Sequence, residues 1–182
     1  MESVLRGLTD RSMQLGIERG DGGVYLCTSY HGAPMRHEPV HMVWDYYDGV
    51  RTGIADLNGT PHYFACEFDS SADEYSNNFK LYPVGRDFMQ CATRNWRIYR
   101  AWERKFHDGE ADLKTHPGHG GVDADYDELK AWLDHQVTHL RALPSLYSAE
   151  FRAIPGQEGL AAGILRELEV VWSPSQAIIA TE

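Results

Sequence analysis

The sequence predicts an α+β fold in which a single antiparallel sheet of about five or six strands packs against two helices. Three observations lead to this prediction. The dipeptides Asp48-Gly49 and Asn58-Gly59 separate three segments rich in β-branched and aromatic residues. Two segments with the apolar spacing of amphipathic helices follow them, and alternating segments return towards the C-terminus. This grouping of strands is not typical of a parallel doubly wound sheet, in which strands and helices alternate.

The first element is a three-stranded meander that spans residues 40–68. Its predicted strands are 40–47, 50–57 and 60–68, joined by the two dipeptides. Asp-Gly and Asn-Gly are typical of two-residue type I′ turns, because both central residues of that turn need positive φ. A two-residue turn also fixes the register of the paired strands, and the register determines which side chains share a face.

The register divides the meander into an apolar face and a mixed, polar face. The apolar face is the predicted core, and there Gly53 lies between Trp44 and Phe64, where a small residue leaves room for two rings. The polar face is either solvated or the wall of a binding site. The residues of the predicted core face are Met42, Trp44, Tyr46, Arg51, Gly53, Ala55, Leu57, His62, Phe64, Cys66 and Phe68.

Two helices are predicted after the meander. The first covers residues 85–107, where aromatic and alanine side chains recur at helical spacing and arginines occupy other positions. The second begins near Asp123, a residue type that suits a helix N-terminus, and Pro144 marks its end. The predicted buried stripe of the second helix is Leu129, Leu133, Val137 and Leu140.

Further strands are predicted at residues 24–29, 147–154 and 165–172. The segment 107–122 is rich in Gly, Asp and His and is predicted to be an exposed connection. One hydrophobic core serves roughly 100–200 residues, so we expect a single domain over residues 1–182.

The charge of the chain excludes some classes of partner. Acidic residues outnumber basic residues 27 to 17, and a formal net charge of −10 repels phosphate backbones, so nucleic-acid binding is not expected. The same charge is compatible with a basic protein partner. No apolar run approaches the roughly 20 residues that span a bilayer, so we expect a soluble protein with no membrane association. The oligomeric state does not follow from the sequence.

The cysteines indicate a reducing compartment. Cys27, Cys66 and Cys91 are odd in number and widely spaced, and no C-x-x-C pair occurs. This pattern is typical of buried apolar thiols rather than of a disulfide framework. We therefore expect the protein to be cytoplasmic.

The polar face of the meander is the best candidate for a binding surface. The register places His41 opposite Asp56 and Asp45 opposite Thr52. A carboxylate beside a histidine can orient the imidazole as a general base. The plainer alternative is an exposed cross-strand pair that contributes less than about 1 kcal/mol to stability. The candidate residues for this binding surface are His41, Asp45, Arg51, Asp56, Tyr63 and Glu67.

Arg51 is the exception among these candidates, because the register places it on the apolar face near Tyr46 and Cys66. A buried guanidinium needs a partner, since an unpaired buried charge is costly. The favoured interpretation is that Arg51 extends past the sheet edge or forms a structural pair. The alternative is that it anchors an acidic ligand.

A pair of histidines is the candidate metal site. His135 and His139 lie four residues apart on the second predicted helix and share one face, where they can hold zinc or another divalent transition metal. The spacing is that of a zincin helix, but Gln136 stands where the glutamate that acts as general base belongs. Two ligands alone make no stable site, so exposed histidines are the plainer interpretation. His116 and His119 are expected to be solvated in the exposed connection.

Two classes of function remain. The favoured class is a non-catalytic binding or protein-interaction module, which the acidic charge and the lack of a complete catalytic motif in the sequence support. The alternative is a small metal-dependent enzyme of hydrolase type, which the nine histidines of the chain support. The first class needs no cofactor, whereas the second needs a divalent metal. No catalytic residue is assigned.

Overall fold

The computed structural model describes residues 36–155 and 167–175. In these residues six antiparallel strands form a closed barrel, in which each strand pairs with the next along the chain and the last pairs with the first. Two helices lie between the fourth and fifth strands. The elements are β1 (Glu38–Tyr46), β2 (Val50–Leu57), β3 (Thr60–Asp69), β4 (Glu74–Pro83), α1 (Arg86–His107), a 3₁₀ helix (Leu113–Thr115), α2 (Ala124–Val137), β5 (Tyr147–Ala153) and β6 (Leu168–Pro174).

The predicted α+β class, with one antiparallel sheet and two helices, is confirmed, but the prediction of an open sheet is wrong. Residues Glu38 to Val40 of β1 pair with Leu168 to Val170 of β6 and close the sheet. β4 was not predicted, and it joins β3 to β5. The predicted strand 24–29 lies outside the described residues, and the single-domain assignment stays a prediction. None of the helices in the described ranges is long and apolar enough to cross a membrane.

The hairpin of β2 and β3 has the predicted turn and register. Asn58 and Gly59 both have positive φ, 54° and 72°, and the strands keep one register over six residue pairs. Gly53 lies opposite Phe64 in this register. A Cβ atom added at Gly53 would lie 2.2 Å from the carbonyl oxygen of Met42 and 2.7 Å from Cζ of Phe64. Close packing therefore requires glycine at this position.

β1 departs from the predicted register at three points, at His41, at Trp44 and next to the turn, where Tyr46 pairs with Val50. Its residues His41 and Trp44 have no partner on β2, because register shifts flank both of them. Each extra residue reverses the alternation of faces along the strand. Met42 consequently pairs with Ile54, and both lie on the outer face of the barrel, against the helices. The prediction that Met42 and Trp44 share a core with Phe64 is wrong for this reason.

The interior of the barrel is filled with large side chains. Phe64 is fully buried, and its ring centroid lies 5.9, 5.6 and 5.7 Å from those of Phe79, Phe151 and Trp172. The indole N–H of Trp172 donates to the carbonyl oxygen of Asp56 at 2.9 Å. The aromatic rings therefore pack at the distances typical of edge-to-face and tilted pairs.

The predicted core is confirmed for β2 and β3 but not at the ends of the strands. Tyr46 and Phe68 are 62% and 50% exposed, because both lie where a strand approaches a turn. The members of the predicted core that pack inside the barrel are Ala55, Leu57, Phe64 and Cys66.

A second core lies between the outer face of the barrel and the two helices. α1 has nearly the predicted bounds, whereas α2 ends at Val137 and not near Pro144, so Leu140 of the predicted stripe lies beyond the helix. α2 begins after Asp123, whose carboxylate accepts the backbone N–H of Tyr126 at 2.8 Å. Leu133 of the predicted stripe is buried, and Val137 and Leu140 pack beside it. The residues buried in this second core are Met42, Ile54, Val84, Phe88, Ala92 and Leu133.

Candidate functional site

A cavity of about 940 Å³ lies between the outer face of the barrel and the helix pair. Strands β1, β2 and β3 supply one side of the cavity, and α1, α2 and the segment between them supply the other. The tyrosines and tryptophans that line it are Trp44, Tyr46, Tyr63, Trp96, Tyr99 and Tyr126.

The irregular register of β1 positions Trp44 at this cavity. The residue has no partner on β2, and its indole packs against Tyr63 and Phe88 at centroid distances of 5.7 and 6.1 Å. In a regular strand the indole would point into the barrel with Phe64. The extra residue in β1 therefore turns a large aromatic side chain towards the helices.

The indole nitrogen of Trp44 is a buried donor with no hydrogen-bond partner in the described part of the chain. A buried donor that is left unpaired costs roughly 1–3 kcal/mol. Most buried polar groups in folded proteins have a partner, so an unpaired one requires an explanation. Trp44 lines the cavity, but its nitrogen has almost no accessible surface, so an acceptor in the cavity would reach it only after the indole turned.

α1 contributes a row of aromatic side chains to the cavity and to the segment that follows the helix. Trp96, Tyr99 and Trp102 follow one another at three-residue spacing, which keeps them on one side of the helix. The rings of Trp96 and Tyr99 stack with centroids 5.1 Å apart and an angle of 19° between their planes. The indole N–H of Trp102 donates to the hydroxyl of Thr115 at 3.1 Å, which attaches the 3₁₀ helix to this surface.

A buried carboxylate lies beside the aromatic surface. Glu103 is 4% exposed and lines the cavity. The guanidinium of Arg100 lies 2.7 Å from its carboxylate, and the Tyr99 hydroxyl hydrogen-bonds to it. These partners compensate for the burial of its charge. Asn95, also buried, donates to the carbonyl oxygen of Tyr126 at 3.3 Å and so connects α1 with α2.

Three phenols of the cavity are held in their protonated form. Burial is the largest cause that raises the pKa of Tyr63, Tyr99 and Tyr126 above the ordinary value. Nearby carboxylates add to the effect, since a phenolate beside a negative charge is disfavoured, whereas Arg100 opposes it at Tyr99 and Lys130 opposes it at Tyr126. These side chains are therefore hydrogen-bond donors at neutral pH and not bases.

His116 also lines the cavity. Its ring packs edge-on against Trp102, with centroids 4.3 Å apart. Its Nδ1 atom accepts the backbone N–H of Gly118 at 2.9 Å, and burial, followed by the neighbouring His119, lowers its pKa. The ring is therefore neutral at pH 7 with its proton on Nε2. The prediction that His116 is solvated is wrong, because the aromatic surface of α1 binds it.

Lys130 and Asp134 form the charged, solvent-exposed side of the cavity. They make an i,i+4 ion pair on α2, and their side chains are 53% and 65% exposed. An exposed pair of this kind contributes less than about 1 kcal/mol to stability. Asp134 also acts on the cavity, because its charge helps to raise the pKa of Tyr63, after burial and Tyr82.

Comparisons of the chain with protein-family models, with curated proteins and with solved structures give no match. We therefore infer a function from the residues and distances of the cavity itself.

The six residues predicted as one binding surface do not meet at this cavity. Tyr63 lines it, whereas Arg51 lies at the β1–β2 turn. The guanidinium of Arg51 donates to the carbonyl oxygens of Tyr47 and Asp48, at 2.8 and 3.0 Å, and lies 4.3 Å from the ring centroid of Tyr75. Arg51 is thus in a structural pairing, which is the interpretation that its position in the sequence favours.

The other candidates of the polar face lie along β1, β2 and β3. His41 and Asp56 are hydrogen-bonded, with Nε2 and Oδ1 2.8 Å apart, and Asp45 pairs with Thr52, so both predicted contacts are present. His41 lines a separate cavity of about 250 Å³. The side chain of Glu67 lies outside what the structure describes. A binding role for these residues stays a prediction.

The predicted metal pair is close in space. The ring centroids of His135 and His139 lie 4.5 Å apart. His139 lies just after the end of α2, and its Nδ1 lies 2.8 Å from the carbonyl oxygen of His135, so this nitrogen is a donor to the backbone. Within residues 36–155 and 167–175, no three His, Cys, Asp or Glu side chains form a group that could hold a metal ion. Metal binding by the pair stays a prediction.

The sequence analysis missed most of the cavity for two physical reasons. Trp96 and Tyr99 have the spacing of a buried helical stripe, and that stripe was assigned to the core. The signal that was available is the run of Trp96, Tyr99 and Trp102, three large aromatic residues at three-residue spacing on one helix. Trp44 gives no local signal, because its direction depends on the irregular pairing of β1 with β2.

Proposed function

We propose that this protein is a non-catalytic binding protein that takes one small organic molecule into the cavity between barrel and helices. The observation that carries the proposal is a cavity lined by six tyrosine and tryptophan side chains. A volume of about 940 Å³ is within the range of small-molecule sites. Such sites are lined mainly by apolar and aromatic side chains, with a few polar groups that orient the ligand.

The lining supports a ligand with two parts. The rings of Trp96 and Tyr99 offer a surface against which an apolar, planar group packs. Tyr63, whose raised pKa keeps its hydroxyl protonated, is a donor on the opposite, barrel side. The ligand therefore has an apolar body and at least one hydrogen-bond acceptor.

The titratable groups of the cavity support binding rather than catalysis. General acid–base catalysis is most efficient when the pKa of the group lies near the working pH. The pKa values of Tyr63, Tyr99 and Tyr126 are raised, which moves them further from neutrality. The Nδ1 atom of His116 is occupied by the N–H of Gly118, and Nε2 carries the proton, so neither nitrogen is positioned to accept a proton.

A fluorescence titration with N-phenyl-1-naphthylamine, a neutral aromatic probe, tests the proposal. We expect saturable binding of one probe molecule per chain. The Trp96→Ala variant removes a large ring from the cavity, and we expect it to weaken binding about tenfold, since a buried aromatic contact is worth roughly 1–1.5 kcal/mol.

Trp132→Ala is the matched control for this variant. Trp132 lies on α2, packs against Phe88 with ring centroids 6.3 Å apart, and is not among the lining residues. Thermal unfolding of both variants identifies the temperatures at which both are folded, and affinities are compared there. Probe binding that does not saturate, or equal weakening by the two substitutions, would contradict the proposal.

The acidic charge supports a second proposal, the basic protein partner expected from the sequence. Attraction between a chain of net charge −10 and a basic surface is screened by salt. A partner that is retained at about 0.5 M NaCl would argue against electrostatic recognition.

We also propose a cytoplasmic location, which the buried thiol of Cys66 supports, since it donates to the carbonyl oxygen of Ser76 at 2.7 Å. Recovery of Cys66 in a disulfide from cells would overturn this location.

The metal-dependent alternative has weaker support. His135 and His139 supply two ligands, and the described residues offer no group of three around them. Two ligands make no stable zinc site. Equilibrium dialysis against zinc chloride distinguishes the alternatives, because one zinc ion retained by the protein and lost in His139→Ala would restore the metal-dependent function.

A further inference from the structure

A patch of exposed aromatic side chains, which we call the turn patch, lies at one end of the barrel. It consists of Tyr47 at the β1–β2 turn, Phe68 near the end of β3 and Tyr75 near the start of β4. Tyr47 is 68% exposed, and the ring centroid of Tyr75 lies 6.3 Å from that of Tyr47 and 5.2 Å from that of Phe68. None of the three lines either cavity. Contiguous exposed aromatic side chains are typical of an interaction surface.

Arg51 holds the turn patch in place. Its guanidinium lies 4.3 Å from the ring centroid of Tyr75 and donates to the carbonyl oxygens of Tyr47 and Asp48. The charge of Arg51 and one face of Tyr75 are therefore already used within the patch. The exposed rings of Tyr47 and Phe68 remain for a partner. Because these contacts order the patch before binding, less conformational entropy is lost when a partner binds.

Carboxylates outnumber basic groups around the turn patch. Asp69 and Glu74 pair directly across β3 and β4, beside the pair of Phe68 and Tyr75. Like charges that face each other across two strands are destabilising, and a positive group from a partner relieves their repulsion. In the segments 45–51 and 68–75, Arg51 is the one basic residue. The exposed acidic residues of these segments are Asp45, Asp48, Asp69, Asp73 and Glu74.

We infer that the turn patch is the surface that binds the basic protein partner, and that the partner contributes arginine side chains to it. The inference rests on the second proposal above, the basic partner, and is independent of the cavity. A planar guanidinium stacks on aromatic rings and pairs with carboxylates, and the patch offers both. Tyrosine and arginine are also among the residues that contribute most to binding in protein interfaces. A second copy of this chain is less complementary, because it brings two sets of carboxylates together.

Titration with two basic peptides tests the inference. Hexa-arginine and hexa-lysine, each acetylated at the N-terminus and amidated at the C-terminus, carry the same charge and differ in the shape of the charged group. We expect hexa-arginine to bind about threefold more tightly at about 0.1 M NaCl, because its guanidinium groups stack on the exposed rings. Isothermal titration calorimetry measures both affinities.

A second acidic surface of the chain is an internal control for the location. The segments 108–112 and 123–128 also contain exposed carboxylates, among them Asp108, Glu110 and Glu128, and lie outside the turn patch. We expect hexa-arginine to change the amide chemical shifts of residues 45–51 and 68–75 most, as measured by ¹⁵N NMR. Attraction by charge alone would produce shifts of the same size in the second surface.

Tyr47→Ser removes an exposed ring from the turn patch. We expect it to weaken the binding of hexa-arginine about threefold and that of hexa-lysine less. Leu113→Ser is the matched control, because Leu113 is 63% exposed but lies on the 3₁₀ helix, outside the patch. We expect this control to change neither affinity. Both replaced side chains are exposed, so both variants are expected to fold, and thermal unfolding checks this.

The outcomes separate this inference from the proposals on which it rests. Equal affinities for the two peptides, or shifts concentrated in residues 108–128, would overturn the inference and leave the basic partner standing. If neither peptide binds, the basic partner and the inference fail together. A dimer in sedimentation equilibrium that Tyr47→Ser dissociates would assign the patch to a second copy and overturn the inference. None of these results affects the test of the cavity with N-phenyl-1-naphthylamine.

Discussion

His116 connects the stability of the protein with pH through a single imidazole. Burial lowers its pKa below the ordinary value of 6.5. The folded protein therefore takes up this proton less readily than the unfolded chain. Above the ordinary pKa both states are neutral and the group has no effect. As the pH falls through that value, the unfolded chain is protonated first, so the stability of the fold decreases until the folded pKa is passed.

The His116→Asn variant tests this relation. Asparagine retains an acceptor for the N–H of Gly118 but cannot be protonated. We expect the melting temperature of the variant, relative to the chain that retains His116, to increase between about pH 7.5 and pH 5.5. Thermal unfolding followed by circular dichroism measures the difference. The comparison is made in a His119→Asn background, because His119 also acts on the pKa of His116, and the remaining histidines are present in both chains. A difference that is independent of pH would refute the assignment.

Single side-chain contacts could be predicted where turn geometry determines the register. The pairing of Gly53 with Phe64 follows from the Asn58-Gly59 turn, whereas His41 contacts Asp56 although it has no partner in the register of β1 and β2. The direction of Trp44 could not be predicted, because a one-residue irregularity sends the side chain to the other face. Nothing local in the sequence marks that irregularity. Trp44 was therefore predicted to pack inside the barrel, and not in the core between the barrel and the helices.

At the scale of elements, local chemistry predicted the hairpins and the helices but not β4. The turns at Asp48-Gly49 and Asn58-Gly59 need positive φ, and these residues adopt it. β4 contains two adjacent asparagines, which are disfavoured in strands, and its buried side chains are Phe79 and Leu81 alone. An alternation of apolar and polar residues that contains only two buried side chains does not distinguish a strand from a loop.

The N-terminus of α2 provides an element-scale prediction. The carboxylate of Asp123 accepts the N–H of Tyr126 at 2.8 Å, which satisfies one of the unpaired donors of the first turn. We expect Asp123→Ala to lower the free energy of unfolding by about 1 kcal/mol. Because Tyr126 lines the cavity, we also expect the affinity for N-phenyl-1-naphthylamine to fall.

Urea denaturation measures the change in stability, and Asp125→Ala is the control. Asp125 lies in the same first turn but does not accept a backbone N–H of α2, and its pair with Arg94 is exposed. We expect its replacement to cost less than about 0.5 kcal/mol. Equal losses in the two variants would indicate that the negative charge, and not the cap, stabilises the helix.

At the scale of the whole molecule, closure of the barrel could not be predicted. It depends on the pairing of β1 with β6 and of β4 with β5, and both join segments far apart in the sequence. β4 and β5 share two residue pairs, Asn78↔Ser148 and Phe79↔Tyr147, because the two helices are inserted between them. Turn residues predict pairing between strands that are adjacent in the sequence, but not between strands as distant as these. The placement of the cavity depends on this closure, so it could not be predicted either.

The net charge of −10 leads to a prediction for the whole chain. Repulsion among like charges destabilises a compact state, and salt screens it. At pH 8 we expect about 0.2 M NaCl to raise the melting temperature by a few degrees. Near the isoelectric point of about 5.3 we expect the same salt to have little effect. Differential scanning calorimetry in matched buffers measures both, and an equal rise at the two pH values would exclude charge repulsion as the cause.

The packed interior of the barrel has a consequence for the kinetics of binding. Phe64, Phe79, Phe151 and Trp172 fill the space that the strands enclose, and the cavity lies outside it, against the helices. A molecule that enters the cavity does not have to pass between hydrogen-bonded strands. We therefore expect its rates of entry and exit to depend on movements of α1 and α2, on a timescale of roughly microseconds to milliseconds, and not on the separation of strands.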